Sequence, residues 1–269
     1  MTNATIDRSV DRAPIPRATP SPIPFTRILW VELTKMFNTR SGLWLMVSIG
    51  LTALTATGAV VLFASDSELT YDNFGAAIGF PMVVLLPVVA ILSVTSEWSQ
   101  RSGLTTFTLV PQRGRVIGGK LTVAVLVGAV SIVVALGIGA LGNVVGSAIA
   151  GVDTVWDISM NQALSIVLAN VLQLLIGFML GVLIRNSAGA LVAYFVYNFV
   201  LSTLAMLLAT SQDWFRDLQP WVDFNFAQGA LFDGGLTASE WAHLGTSGLI
   251  WLVAPLAVGL AMVMRSEVK

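Results

Sequence analysis

Six long stretches of this sequence contain no acidic or basic residue, and they limit the fold more than any other feature. The transmembrane spans predicted from them cover about 43–63, 74–95, 121–146, 162–184, 188–210 and 244–264. Each has the roughly 20 residues that a helix needs to cross a hydrocarbon core about 30 Å thick. A helix also satisfies its own backbone hydrogen bonds, which lipid requires because it supplies no partners. The sequence therefore predicts an all-α integral membrane protein with six transmembrane helices.

Composition supports this fold class, because only 11% of the 269 residues are charged and 55% are hydrophobic. Soluble domains carry about 25% charged residues.

The first apolar stretch begins at residue 43, behind a proline-rich segment, so a cleaved signal peptide is not expected. Residues 1–24 are predicted to be a disordered cytoplasmic tail. The lack of cysteine excludes disulfides and thiolate metal sites.

Basic residues are distributed unevenly among the loops. Thirteen of the fourteen Lys and Arg residues precede span one, lie between spans two and three or four and five, or follow span six. The remaining one, Arg216, shares its side with ten of the fifteen acids. Because Lys and Arg are retained on the cytoplasmic side, both termini are predicted to be cytoplasmic. Loop 96–120 is then the largest cytoplasmic loop, and loop 211–243 the largest outer loop.

Residues 25–40 repeat apolar side chains every three or four positions, which predicts a helix with one apolar face. Basic residues at the edges of that face favour a helix lying flat on the inner membrane surface. Glu32 falls near the middle of the apolar face, where a carboxylate should meet a basic partner rather than acyl chains. Local pairing with Lys35, three residues on, is the alternative.

Two pairs of glycines within the spans have the GxxxG spacing of close helix contacts. They are Gly142 with Gly146 in span three and Gly177 with Gly181 in span four. We expect both pairs to pack within the chain rather than to form a dimer face.

The amide side chains inside the spans include Asn170 and Gln173 on one face of span four and Asn198 in span five. Amides at this depth either bond a neighbouring helix or line a polar path. We favour packing, because neutral amides are common in helix bundles.

The acids Asp213, Asp217 and Asp223 of the outer loop are interpreted as solvated charge, and the aromatic residues around them predict short helices against the outer leaflet.

Residues 114–120 match GxxxxGK, the first seven positions of a phosphate-binding P-loop. The eighth position, Ser or Thr in a P-loop, is Leu121, and the segment leads straight into an apolar span instead of a soluble helix. We therefore expect no nucleotide site and no enzymatic activity in this chain by itself. Acidic and basic residues are absent from the six stretches, which makes a proton-coupled carrier less favoured.

Loop 96–120 has an apolar tip, with Leu104, Phe107 and Leu109 between charged arms. Such a tip would fit a groove on another protein. The alternative is a basic anchor without a partner, which explains the charges but leaves the exposed apolar residues unexplained.

The loop also carries a pattern of individual residues. The pattern consists of Glu97, Gly103, Thr105, Thr106, Leu109, Pro111, Arg113 and Gly119-Lys120-Leu121. It resembles the first cytoplasmic loop of ABC transporter permeases of the type 2 exporter (ABC-2) family, except that Leu104 separates the family's Gly-Thr pair. Glu32 and Lys35 look like the E-x-x-K of that family's flat N-terminal helix. The resemblance extends in topology over residues 25–269, which would form one transmembrane domain.

This resemblance implies a permease that works as a dimer, with a second copy or a paralogue, and docks two separate ATP-binding-cassette subunits. ATP and Mg would be bound by those subunits, and the loop would be the coupling helix in their cleft. The coupling residues would be Glu97, Arg101, Gly103, Leu104, Thr105, Thr106, Phe107, Leu109, Pro111, Arg113, Arg115 and Lys120. As a separate hypothesis, we expect Glu97 to pair with Arg113, Arg115 or a base on the flat helix, and Glu32 to pair with the same basic cluster.

The expected location is a bacterial-type plasma membrane, in contact with lipid and without a nucleic-acid partner. The apolar spans favour a hydrophobic or amphipathic substrate. Two other classes of function stay open. One is a non-transporting anchor or regulatory subunit for a cytosolic partner. The other is a passive channel, which would need more polar residues along the spans than this chain has.

Overall fold

The computed structural model describes residues 23–38, 40–99 and 113–265. These residues fold into helices joined by turns, and the described ranges contain no β-strand. The helices are α1 (Phe25–Asn38), α2 (Arg40–Phe63), α3 (Tyr71–Ser99), α4 (Arg113–Ala150), α5 (Met160–Ile184), α6 (Ser187–Ser211), α7 (Asp213–Val222), α8 (Phe224–Gly229) and α9 (Ala238–Arg265). Within the described ranges six helices, α2 to α6 and α9, are long and apolar enough to cross a membrane. The predicted all-α fold with six membrane-crossing helices is confirmed.

Helix α4 begins at Arg113, earlier than the apolar stretch that predicted span three. A stretch defined by the absence of charge ends at the first basic residue, whereas a helix continues as long as its backbone bonds do. The last residues of the predicted loop 96–120 are therefore the first two turns of α4. This extension brings Arg115 and Lys120 onto a rigid helix, beside α1.

Helix α3 lies at the centre of the bundle, and its most extensive interface is with α5. Small residues make this approach close. A Cβ atom at Gly177 would lie 2.6 Å from the Pro87 carbonyl oxygen, and Gly181 faces the same helix. The glycine pair of α4 also faces α3, because a Cβ at Gly146 would lie 3.3 Å from Phe74. Both pairs pack within the chain, as predicted.

We expect Gly177→Ala to destabilise the bundle, because the added methyl group meets backbone atoms of α3 that cannot rotate away. Overpacking of this kind costs roughly 1–3 kcal/mol, measured as a lower unfolding temperature of the detergent-purified protein. Gly137→Ala is the matched control, since a Cβ at Gly137 has open space around it. Equal unfolding temperatures for the two variants would contradict the contact.

A proline inside α3 explains how α6 is attached to it. Pro87 has no N–H, so the Val83 carbonyl loses its helical partner. The buried Tyr194 hydroxyl of α6 donates a hydrogen bond to that carbonyl. Nearer the other end of the contact, the hydroxyls of Thr95 and Ser187 are 2.7 Å apart. Polar groups that lipid could not satisfy thus join the two helices.

The apolar interior has two parts. One lies between α2, α3, α4 and α5, and the other between α5, α6, α9 and the short helix α8. In their most apolar windows 56% of α5 is buried, but only 11% of α6 and 17% of α2. Helices α6 and α2 therefore present the largest uncovered apolar faces of the spans.

Candidate functional site

Helix α1 packs on the first turns of α4, at the end of the bundle where α3 ends and α4 begins. The contact needs a glycine, because a Cβ at Gly119 would lie 2.8 Å from Cγ2 of Ile28. The Nη2 atom of Arg115 donates a hydrogen bond to the Ile23 carbonyl, 2.8 Å away. The start of α4 therefore holds α1 by both apolar and polar contacts.

Glu32 lies between two lysines in this contact. Its Oε2 is 2.6 Å from Nζ of Lys120, and its Oε1 is 2.8 Å from Nζ of Lys35. Glu32 and Lys120 are only 6% and 5% exposed, while the Lys35 side chain is 42% exposed. The carboxylate meets a basic partner from another helix, as expected, and it also makes the local pair. Because Lys120 is on α4, the buried pair fixes α1 to that helix.

The GxxxxGK segment has the conformation of a helix. Residues 114–120 are the first turns of α4, so their backbone N–H groups point along the helix and do not form the anion-binding concavity of a P-loop. The Lys120 ammonium, which would contact phosphate in a P-loop, pairs with Glu32. This geometry differs from that of a P-loop.

Most of the predicted coupling residues lie outside the described residues. They are Arg101, Gly103, Leu104, Thr105, Thr106, Phe107, Leu109 and Pro111. The backbones of Glu97 and Arg113 belong to the last turn of α3 and the first turn of α4. The ion pair expected for Glu97 stays a prediction.

A second polar site lies deep in the bundle, at the opposite end from α1. Helices α7 and α8 connect α6 to α9 and form a hairpin, residues 213–229, which we call the re-entrant hairpin. Gln173 donates from Nε2 to Oδ1 of Asn225 in α8, 2.9 Å away. Gln173 lies roughly 20 Å along α5 from Met160, at 1.5 Å per residue. The hairpin thus reaches well inside the bundle, whereas the sequence predicted helices against the membrane surface.

Asn225 is the centre of the polar contacts that hold this hairpin. Besides accepting from Gln173, it donates from Nδ2 to Oγ of Ser202 at 2.7 Å and to the Tyr197 carbonyl at 3.4 Å, both on α6. On the other side, Nε1 of Trp251 in α9 donates to the Val222 carbonyl at 2.6 Å. Three spans therefore bind the tip of the hairpin.

Two of the three helices that contact the tip, α6 and α9, are irregular where they contact it. Helix α6 is π-helical over Val196–Leu201, and α9 is π-helical over Leu249–Val253. Tyr197 and Trp251 belong to these segments, and their ring centroids are 5.4 Å apart. π-Helical turns are rare and occur often at functional sites.

The predicted amides have different environments. Gln173 bonds another element, which agrees with the packing interpretation, but Asn170 donates only to Ile166 of its own helix, at 2.9 Å. Asn198 is half-buried in the π-helical part of α6. Several buried oxygens in this half of the bundle have no hydrogen-bond partner among the described residues. They are Asn170 Oδ1, Gln173 Oε1, Gln228 Oε1 and the Tyr197 hydroxyl.

Sequence reasoning missed Asn225, Ser202 and Trp251, because the partners of Asn225 come from two different spans. One signal was present. Residues 224–232 contain no charge and are mostly apolar, which is unusual for a solvated loop. Such a segment is too short to cross a membrane, so it was not counted among the spans.

No protein-family model matches the chain, and no curated protein matches it.

Proposed function

We propose that this chain is the membrane-spanning subunit of an ATP-driven exporter of the ABC-2 type. Two separate ATPase subunits would bind ATP and Mg, and a second copy of this chain or a paralogue would complete the permease. The six apolar helices and the residue pattern around loop 96–120 support this proposal. The distribution of Lys and Arg supports cytoplasmic termini and a plasma membrane location.

The observation that carries the proposal is the buried ion pair between Glu32 and Lys120. Lys120 is in the second turn of α4, directly after the loop that resembles a coupling helix. A force applied to that loop by an ATPase displaces the start of α4. Because Glu32 holds α1 to the same turns, α1 and α4 move as one unit. A partnerless anchor has no evident need for such a link.

Helix α1 would lie on the inner membrane surface in this arrangement. Its buried residues, Ile28 and Glu32, face α4, while Trp30 on the opposite side is 70% exposed. Tryptophan is favoured at the headgroup level of membranes. Part of the apolar face predicted to meet lipid is therefore used for contact with the bundle, and Trp30 would supply the contact with the membrane.

The uncovered apolar faces of α6 and α2 would meet lipid or the second permease copy. Between helices in lipid, association depends on packing and hydrogen bonds, since exclusion from water does not contribute. A hydrophobic or amphipathic substrate suits a pathway bordered by such faces. The direction of transport would be out of the cytoplasm or the inner leaflet.

Purification of the tagged protein in mild detergent from its native membrane tests the proposal. We expect an ATPase subunit to copurify in stoichiometric amount and the complex to hydrolyse ATP. Replacing residues 104–109 by a Gly-Ser sequence of equal length should abolish copurification, because it removes the apolar tip that would fill the ATPase cleft.

The matched control replaces exposed apolar residues at the opposite end of the bundle, Val152 and Val155, by serine. This variant should retain the ATPase. If the unaltered protein is isolated alone, or with a partner that does not hydrolyse ATP, the exporter proposal is wrong and a membrane anchor is favoured instead.

A further inference from the structure

The tip of the re-entrant hairpin places a carboxylate inside the bundle. Asp223 lies between Val222, which bonds Trp251 of α9, and Asn225, which bonds Gln173 of α5. Ser202, another partner of Asn225, is roughly 14 Å along α6 from Ser211 at 1.5 Å per residue. Asp223 is half-buried at this depth, whereas the sequence analysis interpreted it as solvated charge. Asp213 and Asp217 are exposed, as expected.

The described contacts of Asp223 leave its charge uncompensated. Its Oδ1 accepts from the Phe226 N–H and its Oδ2 from Nε2 of Gln219, each at 3.1 Å. Both donors are neutral. In the described part of the chain no Lys, Arg or His forms an ion pair with it, and Arg216 of the same hairpin pairs with Asp213. An ionised group at membrane depth is costly and normally has a partner of opposite charge.

Capping of α8 explains only part of this arrangement. Asp223 is the N-cap residue of α8, and the bond from Phe226 is the capping bond. Asparagine or serine caps a helix as well as aspartate does and brings no charge into the bundle. Capping alone therefore does not require a negative charge at this position.

The surroundings of Asp223 indicate an organic cation. The Trp251 indole N–H donates to the carbonyl of Val222, the residue before Asp223, and the ring centroid of Tyr197 lies 5.4 Å from that of Trp251. Aromatic rings attract cations across their faces. A metal ion fits less well, because the described residues include no group of three or more His, Cys, Asp or Glu that could hold one. The spans around the hairpin favour a ligand with an apolar body.

We infer that the tip of the re-entrant hairpin binds the positively charged head of an amphipathic organic cation, such as an alkyl ammonium, with Asp223 as its counter-ion. This inference rests on the proposed function, because it names the class of substrate that the exporter would carry. The binding itself requires only this chain.

A pair of probes with the same shape and opposite charge tests the inference. Binding of tetraphenylphosphonium and of tetraphenylborate is measured by equilibrium dialysis on the full-length protein purified in detergent, with detergent-only blanks. We expect saturable binding of the phosphonium cation and at least about tenfold weaker binding of the borate anion. Equal binding of the two ions, or no saturable binding of the cation, would overturn the inference.

The variant Asp223→Asn keeps the cap and removes the charge. It should bind tetraphenylphosphonium about tenfold or more weakly, whereas Asp217→Asn, on the exposed side of α7, should bind it like the unaltered protein. Unchanged affinity in Asp223→Asn overturns the inference. If that variant does not fold, the comparison of the two probes on the unaltered protein decides whether the inference holds. Because no ATPase is present, failure of cation binding leaves the exporter proposal standing, and loss of the ATPase partner leaves cation binding standing.

Discussion

Replacing Lys120 by glutamine will lower the free energy of unfolding by about 3–5 kcal/mol, the cost of breaking a buried ion pair by removal of one partner. Glu32 would remain in the contact between α1 and α4 with only the partly exposed Lys35 to compensate its charge. The measurement is equilibrium unfolding of the purified protein in mixed micelles, followed by far-ultraviolet circular dichroism.

Lys35→Gln is the matched control, because it removes the same type of group from the same carboxylate. The Lys35 side chain is 42% exposed and that of Lys120 only 4%, and solvent screens the exposed pair. We therefore expect Lys35→Gln to cost no more than about 1 kcal/mol. Similar losses in both variants would show that burial does not set the strength of the Lys120 pair.

The exchange Glu32→Lys with Lys120→Glu separates pairing from packing. If the ion pair itself holds α1, the double variant will recover part of the stability that either single change loses. In the complex with an ATPase, the single variants should also lower substrate-stimulated ATP hydrolysis more than Lys35→Gln does. Normal coupling in Lys120→Gln would count against a mechanical link through α1.

The spans could be predicted from the sequence because the membrane excludes charge from long continuous segments, a property that each segment carries by itself. Glu32 could be identified as a residue that needs a basic partner for a similar reason, since the position of its carboxylate on an apolar helix face is visible in the local sequence. Pairing with a basic cluster was expected, but Lys120 could not be singled out as the partner, because the two residues are 88 positions apart and meet only when α1 folds back onto α4.

The re-entrant hairpin could not be predicted from local pattern. Its apolar part is too short to register as a span, and its depth depends on Gln173 and Ser202, which belong to different helices. The same limit applies to the argument from the sequence that a proton-coupled carrier is less favoured. That expectation considered acidic and basic residues only within the spans, while Asp223 reaches the interior from a connecting segment.

Replacing Asn225 by leucine will release the hairpin tip from the bundle. The change removes the acceptor of Gln173 and the donor to Ser202. Buried polar groups left without partners cost roughly 1–3 kcal/mol each, so we expect a loss of about 2–5 kcal/mol. Release of the hairpin tip can be measured by labelling one introduced cysteine, because the chain itself has no cysteine. A single cysteine at Ala227, which is 5% exposed in α8, will react with a water-soluble maleimide much faster in the leucine variant.

Asn198→Leu is the matched control for this prediction. Asn198 is an amide on the π-helical segment that also contains Tyr197, but it contributes none of the hydrogen bonds that hold the hairpin. The cysteine at Ala227 should stay as protected in this variant as in the unaltered background. Rapid labelling in both variants would mean that any loss of an amide loosens the hairpin. Slow labelling in both would mean that Trp251 and the apolar contacts of α8 hold it without Asn225. Rapid labelling in Asn225→Leu alone would establish Asn225 as the residue that keeps Asp223 inside the bundle.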